Sequence, residues 1–250
     1  MTSATEFFSA SLPVIDPLRE DLIGLIRRKA AVHPRTLQRE LGPSEVGHPC
    51  MRKMAFGLME VPRCNPEYDP LPSVIGVAMH TWLQEAAEYD NRQLGWRRWI
   101  AETRVHVTPG LFGTADLYDV ATATVIDWKN LGYTSFPAHV KDPGITYRNQ
   151  VQMYGKGFAN LGYPVKQVAI AMLPRTGTLS KMHLHREDYD ESKADAALAR
   201  RDAVIELLDE LDVERNPERY QWIPNHPETC FFCPWWAPAP KSPIQCEGKA

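Results

Sequence analysis

The 250-residue sequence has no excess of charge of either sign and no long run of apolar residues. Lysine and arginine number 28 against 31 aspartates and glutamates, which excludes a uniformly basic coat for nucleic acid. Any polyanion must therefore be bound by a local patch. No stretch approaches about 18 consecutive apolar residues, so we expect no membrane span. The start, Met1-Thr-Ser-Ala-Thr-Glu, lacks the basic residues of a signal peptide, and the sequence predicts a cytoplasmic protein.

Cysteines are few, and their positions are uneven. Cys50 and Cys64 lie in the first third, the long middle has none, and Cys230, Cys233 and Cys246 lie near the end. The number is odd, and a chain of this length in a reducing compartment does not need disulfides. The pattern therefore indicates metal or cluster ligation, and the spacing alone favours structural zinc.

A hydrophobic content of 44% is enough for a substantial core, and we expect one domain over residues 1–250. Its predicted parts are an N-terminal helical segment (14–72), a core (73–213) and a tail (214–250). Seven prolines in the tail exclude long helices and strands there. The tail also holds too many aromatic residues for a disordered segment, so the cysteines are the candidates for ordering it.

The most informative stretch is a predicted hairpin, Gly113-Thr-Ala-Asp116 followed by Val125-Ile-Asp127-Trp-Lys129. Residues two apart in a strand share a face, so Asp127 and Lys129 are side by side and Asp116 can face them. Two carboxylates beside an ammonium are a poor core and a good site for a hard divalent cation. On these residues alone, an amphipathic hairpin with its charges in water has equal weight.

The hydrophobic pattern predicts the remaining elements. Predicted helices cover 17–31 with Asp16 as N-cap, 73–93 with Ser73 as N-cap, 146–160 and 191–213. Predicted strands cover 100–108, 111–120, 123–131, a doubly buried run at 167–173, and its antiparallel partner at 178–185. Two pairs of residues four apart share a helix face, Gly76 with His80 and Gln150 with Tyr154.

Taken in order over residues 44–246, the motifs resemble the PD-(D/E)XK nuclease superfamily. The likeness is to its RecB-like branch with an iron–sulfur cluster, which includes CRISPR-associated exonucleases and AddB-type recombination nucleases. The matching motifs are Pro43-Ser44…Cys50-Met-Arg52, Gly76-x-x-x-His80, Gly113-Thr-Ala-Asp116, Ile126-Asp127-Trp-Lys129 and Gln150-x-x-x-Tyr154. Each motif alone is weak, whereas five in the right order followed by a cysteine cluster are strong.

The resemblance implies an α/β fold with a mixed central sheet flanked by helices. It implies a Mg²⁺ or Mn²⁺ ion held by protein ligands, which are Asp116, Asp127, His80 and the carbonyl of Trp128. By the same likeness, Lys129 positions or helps to deprotonate the attacking water. Gln150 and Tyr154 contact the DNA backbone or support the site. Glu102, on the first strand, is a weaker candidate for a second metal or an outer contact.

For the cysteines, the resemblance implies a 4Fe–4S cluster that joins the N-terminal and C-terminal segments and has a structural role. Its ligands would be Cys50, Cys230, Cys233 and Cys246, with structural Zn²⁺ as the alternative. Twelve residues separate Cys233 from Cys246, a longer gap than is usual in the family. Cys246 is therefore the least secure ligand, and Cys64 is the reserve candidate.

The function implied is a metal-dependent DNA exonuclease acting on single-stranded or frayed ends, in phage or bacterial recombination, repair or CRISPR spacer processing. Its partners would be DNA and CRISPR or recombination proteins, and a homo-oligomer is compatible with the sequence. The alternative is a DNA-binding adaptor subunit of a larger complex that cleaves little, which the mildly acidic net charge favours slightly.

Overall fold

A computed structural model describes residues 16–33, 41–65 and 69–248. The chain divides into two compact units, one up to residue 38 and one from residue 39 onwards. The first unit contributes helix α1 (Pro17–Ala31), whose N-terminus is capped by the Asp16 side chain as predicted. Grouping both units into one domain stays a prediction. No described helix combines the length and apolar character needed to cross a bilayer.

The second unit alternates helices and strands around one sheet. Its helices are α2 (Pro43–Gly47), α3 (Met51–Leu58), α4 (Leu71–Leu94), α5 (Ser135–Lys141), α6 (Ile145–Asn160) and α7 (Glu191–Leu211). Its strands are β1 (Trp99–Thr108), β2 (Leu111–Asp119), β3 (Thr124–Leu131), β4 (Gln167–Pro174) and β5 (His183–Asp188). Three short 3-10 turns (Leu179–Lys181, Pro217–Trp222, Pro227–Phe232) complete the regular structure of the described residues.

The five strands form a mixed sheet in the order β1-β2-β3-β4-β5. Only β3 and β4 run parallel, and the crossover between them carries α5 and α6. Six consecutive residues of β4 are buried, which confirms the predicted strand covered on both faces. The mixed α/β architecture with helices packed on the sheet is thus confirmed.

A fork between β2 and β3 positions the polar residues of the hairpin. The two strands pair over only three residues each, ending at Leu117 opposite Ile126. Beyond that point they separate, and Asp116 and Asp127 lie at the point of separation. Backbone groups released from the ladder there are available to side chains and ligands.

Two clusters of buried apolar residues hold the second unit together. The first lies between the sheet and helices α6 and α7, and includes Val125, Met153 and Phe158. The second joins α3, the later part of α7 and the tail. In it Phe56 contacts the rings of Tyr220 and Trp235, with centroids 4.8 and 5.7 Å away. The proline-rich tail therefore has an apolar core of its own.

Two predicted boundaries were wrong. Helix α4 begins at Leu71, so Ser73 lies inside it, because a proline in the first turn lacks only an N–H that would be unpaired there. The last strand begins at His183 rather than 178, since a 3-10 turn at Leu179–Lys181 occupies the first part of the predicted stretch.

Candidate metal centre and cysteine cavity

Three predicted polar residues from different elements converge at the fork. His80 comes from α4, Glu102 from β1 and Asp116 from β2, and their ligand atoms all lie within 4.8 Å of one another. His80 Nδ1 is 3.3 Å from Asp116 Oδ1 and 3.6 Å from Glu102 Oε1. Two carboxylates and an imidazole in this arrangement are a suitable ligand set for a divalent cation.

Glu102 reaches the group because of an unusual backbone conformation. Ala101 pairs with Leu117 and Thr103 with Ala115, so Glu102 stands opposite Asp116 in the register. Its φ is 44°, in the left-handed region that a β-strand residue other than glycine rarely adopts. Such strain is most common at functional sites, and here it turns the carboxylate towards His80.

The sequence carries a signal for this distortion. Ile100 is buried at an even position of β1, whereas Val105 and Val107 are buried at odd positions. In a regular strand the buried positions keep one parity. The change of parity between 100 and 105 therefore marks an irregular residue near Glu102, whereas the motifs alone predict Glu102 only as a weaker candidate.

Asp116 is held in place by the backbone of β3. Its Oδ2 accepts a hydrogen bond from the Trp128 N–H at 2.7 Å, while Oδ1 faces His80. The N–H of Trp128 thus orients one ligand of the group. A metal contact from the Trp128 carbonyl stays a prediction.

Asp127 and Lys129 form a buried ion pair next to this group. Lys129 Nζ lies 2.6 Å from Asp127 Oδ2 and donates to the amide oxygen of Gln150 at 3.0 Å. Asp127 is only 1% exposed, and its Oδ1 has no hydrogen-bond partner among the described residues. A carboxylate oxygen buried without a donor is costly unless a cation or another ligand satisfies it.

Gln150 and Tyr154 lie behind the lysine. Gln150 Nε2 donates to the Tyr154 hydroxyl at 3.1 Å, and both residues are buried. Gly113, on β2, is packed against the same tyrosine, because a Cβ atom at this position would lie 2.8 Å from its ring. Of the pair predicted from the Gln-x-x-x-Tyr spacing, Gln150 therefore contacts Lys129 directly, and the buried Tyr154 holds Gln150 in place.

The electrostatics follow from these contacts. Hydrogen bonds to Asp116 and Glu102 raise the pKa of His80 to about 9. Burial raises the pKa of Asp127, and Lys129 offsets this only in part. Burial opposes the charged form of Lys129, but the carboxylates of Asp127 and Asp116 outweigh it and raise its pKa. With the imidazole neutral, as metal ligation requires, three carboxylates and one ammonium leave a charge of −2, which a divalent cation would balance.

The predicted cluster cysteines meet in a different part of the second unit. Cys50, Cys230, Cys233 and Cys246 all line one cavity, which Lys53 also lines. Cys64 is not among the lining residues, and its Sγ lies 3.9 Å from the carbonyl oxygen of Trp236. The structure thus brings together residues 50 and 230, which are 180 positions apart.

Hydrogen bonds to sulfur orient the thiols. Cys50 caps α3, and its Sγ accepts from the Lys53 N–H at 3.4 Å. Arg52 Nη1 donates to Cys246 Sγ at 3.6 Å. Burial raises the pKa of the Cys230 and Cys233 thiols. Ligation of a metal or cluster would require the thiolate form of these cysteines.

The thiols are too far apart for a single zinc ion as they stand. Four thiolates about 2.3 Å from one zinc would be roughly 3.8 Å from each other. Among the described residues, no three cysteine sulfurs lie within 4.8 Å of one another. Binding of a single zinc ion by these cysteines would therefore require their side chains to move closer together.

Comparison with known proteins gives matches at the level of structure alone. No family model and no curated protein matches the sequence. A phage-related exonuclease from Haemophilus somnus 129PT aligns over 66% of this chain and 82% of its own, with 17% identity and a TM-score of 0.47. The alkaline exonuclease LHK-Exo from Laribacter hongkongensis aligns over 70% of this chain and 94% of its own, with 15% identity and a TM-score of 0.42.

LHK-Exo in complex with dAMP aligns over 74% of this chain and 94% of its own, with 13% identity and a TM-score of 0.46. At these identities and scores, the alignments assign neither a family nor an activity to this chain.

Proposed function

We propose that this chain is a metal-dependent deoxyribonuclease that hydrolyses phosphodiester bonds, acting as an exonuclease on single-stranded or frayed DNA ends. The observation that carries the proposal is the fork of β2 and β3. There Glu102, Asp116 and His80 form a ligand group, and the unpartnered Oδ1 of Asp127 lies beside Lys129. The preference for DNA ends, and a place in recombination, repair or CRISPR spacer processing, rest on the resemblance of the ordered motifs.

The chain's own residues supply the positioning that hydrolysis needs. Asp116 and Glu102, with His80 and Asp127, would hold Mg²⁺ or Mn²⁺, which prefers oxygen ligands. Such an ion lowers the pKa of bound water and offsets the charge that develops on the phosphate oxygens. Lys129 places a fixed positive charge next to the same carboxylates and offers an N–H to the attacking water or the phosphate.

We propose further that Cys50, Cys230, Cys233 and Cys246 bind a 4Fe–4S cluster with a structural role. The proposal rests on the shared cavity, on the hydrogen bonds to the sulfurs of Cys50 and Cys246, and on the resemblance of the ordered motifs. The cluster would tie α3 to the tail. Zinc in place of iron, found as one colourless ion per chain, would contradict this part of the proposal.

The decisive experiment is a cleavage assay with Mg²⁺ or Mn²⁺ on end-labelled single-stranded and double-stranded DNA. We expect cleavage by the natural protein and a loss on the order of 10²–10⁴-fold in Lys129→Ala. Lys166→Ala, which removes an exposed lysine far along the chain from the site, is the matched control and should keep full activity.

Equal activity in Lys129→Ala and the natural protein would overturn the site assignment. DNA binding without any cleavage in either metal would favour the adaptor alternative.

A further inference from the structure

Tyr147 contacts the proposed catalytic lysine but belongs to none of the motifs described above. It lies on α6, three residues before Gln150, so the two side chains project from the same side of the helix. Lys129 Nζ is 4.7 Å from the centre of the Tyr147 ring. We propose that Tyr147 is a positioning residue that holds the Lys129 ammonium over the site through a cation–π contact. This inference rests on the proposed nuclease function.

A count of the lysine's donors shows what the ring adds. An ammonium has three N–H groups, and here the carboxylate of Asp127 and the amide oxygen of Gln150 take two of them. At 4.7 Å the ring attracts the charge without the close contact of a hydrogen bond. The third N–H therefore stays available for water or a phosphate oxygen, while the ammonium is held by three groups.

The Tyr147 ring also opposes withdrawal of the Lys129 ammonium towards the buried carboxylate of Asp127. Asp127 is almost completely buried, and its attraction alone would draw the ammonium away from the substrate side. Lys129 keeps 16% of its side chain exposed, and Tyr147 is half-buried beside it. An aliphatic side chain of similar volume would fill the space but would provide no electrostatic attraction.

Tyr147 is itself held in place by helix α5. The His139 ring stacks with it, with centroids 5.1 Å apart and planes inclined by 29°. His139 Nδ1 lies 2.8 Å from the Ser135 carbonyl oxygen, which fixes the imidazole. The orientation of the aromatic face is therefore set by packing before any substrate binds, as positioning requires.

The test replaces Tyr147 in steps that separate ring electrostatics from volume. We expect Tyr147→Leu to lower kcat about 10-fold, which corresponds to roughly 1.4 kcal/mol, with KM within about twofold. Tyr147→Phe keeps the ring and should restore most of the rate. A series of mono-, di- and trifluorinated phenylalanines at this position should lower kcat progressively, since each fluorine weakens the negative ring face.

Equal kcat for Tyr147→Leu and Tyr147→Phe, or a flat fluorination series, would overturn the inference. A structural role alone would follow volume and would not follow fluorine number.

A second measurement does not depend on activity. In a double-mutant cycle of urea unfolding with Lys129→Met and Tyr147→Leu, the double variant should lose less than the sum of the single losses. Additive losses would show that the contact is absent and would overturn the inference even if the protein cleaves DNA. Coupling between the two residues in a protein that cleaves nothing would reject the proposed function and retain the Tyr147–Lys129 contact.

Discussion

The acidic site at the fork and the cysteine cavity are assembled in opposite ways. The acidic site lies on long regular elements, α4, β1, β2 and β3, whose own backbone hydrogen bonds fix its residues. The cavity lies on a short helix and 3-10 turns, and is held by contacts between distant segments. Among them are Arg52 N–H to the Pro224 carbonyl and Cys64 N–H to the Pro234 carbonyl.

The fold itself positions the acidic site, whereas the proposed cluster would make the cysteine cavity a site that helps to hold the fold. At the fork, strain and unpartnered charge are tolerated because the sheet and α6 are stable without them. Around the cavity, local turns alternate with backbone hydrogen bonds between distant segments, and the proposed cluster would add a further link between those segments. We therefore expect substitutions at the fork to abolish cleavage activity and leave the fold intact. Substitutions at the cavity should instead make the tail less ordered.

The largest effects on cleavage and on iron content should come from two single substitutions, one in the acidic site and one in the cysteine cavity. Asp116→Asn should reduce cleavage by on the order of 10²–10³-fold, because a ligand and its charge are lost, while visible colour and iron content stay unchanged. Cys230→Ser should lose the iron and make the tail sensitive to protease. Cleavage assays, iron analysis and limited proteolysis measure the three quantities, and Cys64→Ser is the matched control that should keep its iron.

Loss of colour in Asp116→Asn, or a tail that stays protected in Cys230→Ser, would contradict the division between the two regions.

The second effect concerns Arg52, which ties α3 to the tail through backbone carbonyl groups as well as through the Cys246 sulfur. Its guanidinium donates to the carbonyl oxygens of Ile223 at 3.0 Å and Gln221 at 2.7 Å. Arg52→Met should lower the free energy of unfolding by about 2 kcal/mol, since two acceptors lose a charged donor. Urea unfolding at constant metal content measures this loss. Arg63→Met, at an exposed arginine, should change stability by less than about 0.5 kcal/mol.

If Arg52→Met and Arg63→Met have the same free energy of unfolding, the Arg52 hydrogen bonds do not stabilise the cavity region.

The third effect tests the strain at Glu102. Glycine adopts a φ of 44° without the cost that a Cβ atom imposes, so Glu102→Gly should be more stable than Glu102→Ala by about 1 kcal/mol. In a regular strand the order would be the reverse. Both variants should cleave DNA poorly, because both lose the carboxylate. Parallel urea unfolding and cleavage assays give the comparison, and a more stable alanine variant would show that the backbone is not strained.

The smallest effect lies at the other end of the hairpin. Burial opposes ionisation of Asp119, but hydrogen bonds from Arg98, Thr122 and Ala121 outweigh it and hold the pKa of Asp119 below its usual value. A lowered carboxyl pKa contributes stability that is present above the unfolded pKa and is lost as pH falls through the folded one.

The natural protein should therefore exceed Asp119→Asn in urea midpoint at pH 7, and the difference should shrink below about pH 4. A difference that does not change between pH 7 and pH 3 would show that the ion pair is not its source.

Local sequence patterns were sufficient to predict the bounds of most strands of the sheet. The bounds of β1, β2 and β3 follow from alternating and β-branched residues, and the structure confirms them to within one residue. The start of β5 was wrong because its pairing with β4, from Met172 opposite His183 to Gln167 opposite Asp188, depends on the length of the preceding turn. That length is set by tertiary packing, which a local window does not contain.

In the candidate site, too, some residues could be predicted from local sequence and others depend on tertiary packing. Asp127 and Lys129 could be placed together from a spacing of two, and His80 and Asp116 from their motifs. The place of Glu102 in the ligand group could not be predicted, because it depends on the left-handed backbone conformation of Glu102 itself in an otherwise regular strand. Tyr147 was missed for a related reason, since its contact with Lys129 exists only when α6 packs on β3.

The cavity also sets an order of events during synthesis of the chain. Cys50 is translated early, but the residues that complete its surroundings extend to Cys246. Residues 51–229 must therefore leave the ribosome before Cys50 can meet any of its three partners. The sheet can pair and pack in the meantime, because all five strands are complete by residue 188. Until Cys246 has emerged, Cys50 lacks one of its cavity neighbours, and any metal or cluster that binds all four cysteines can do so only after residue 246 has left the ribosome.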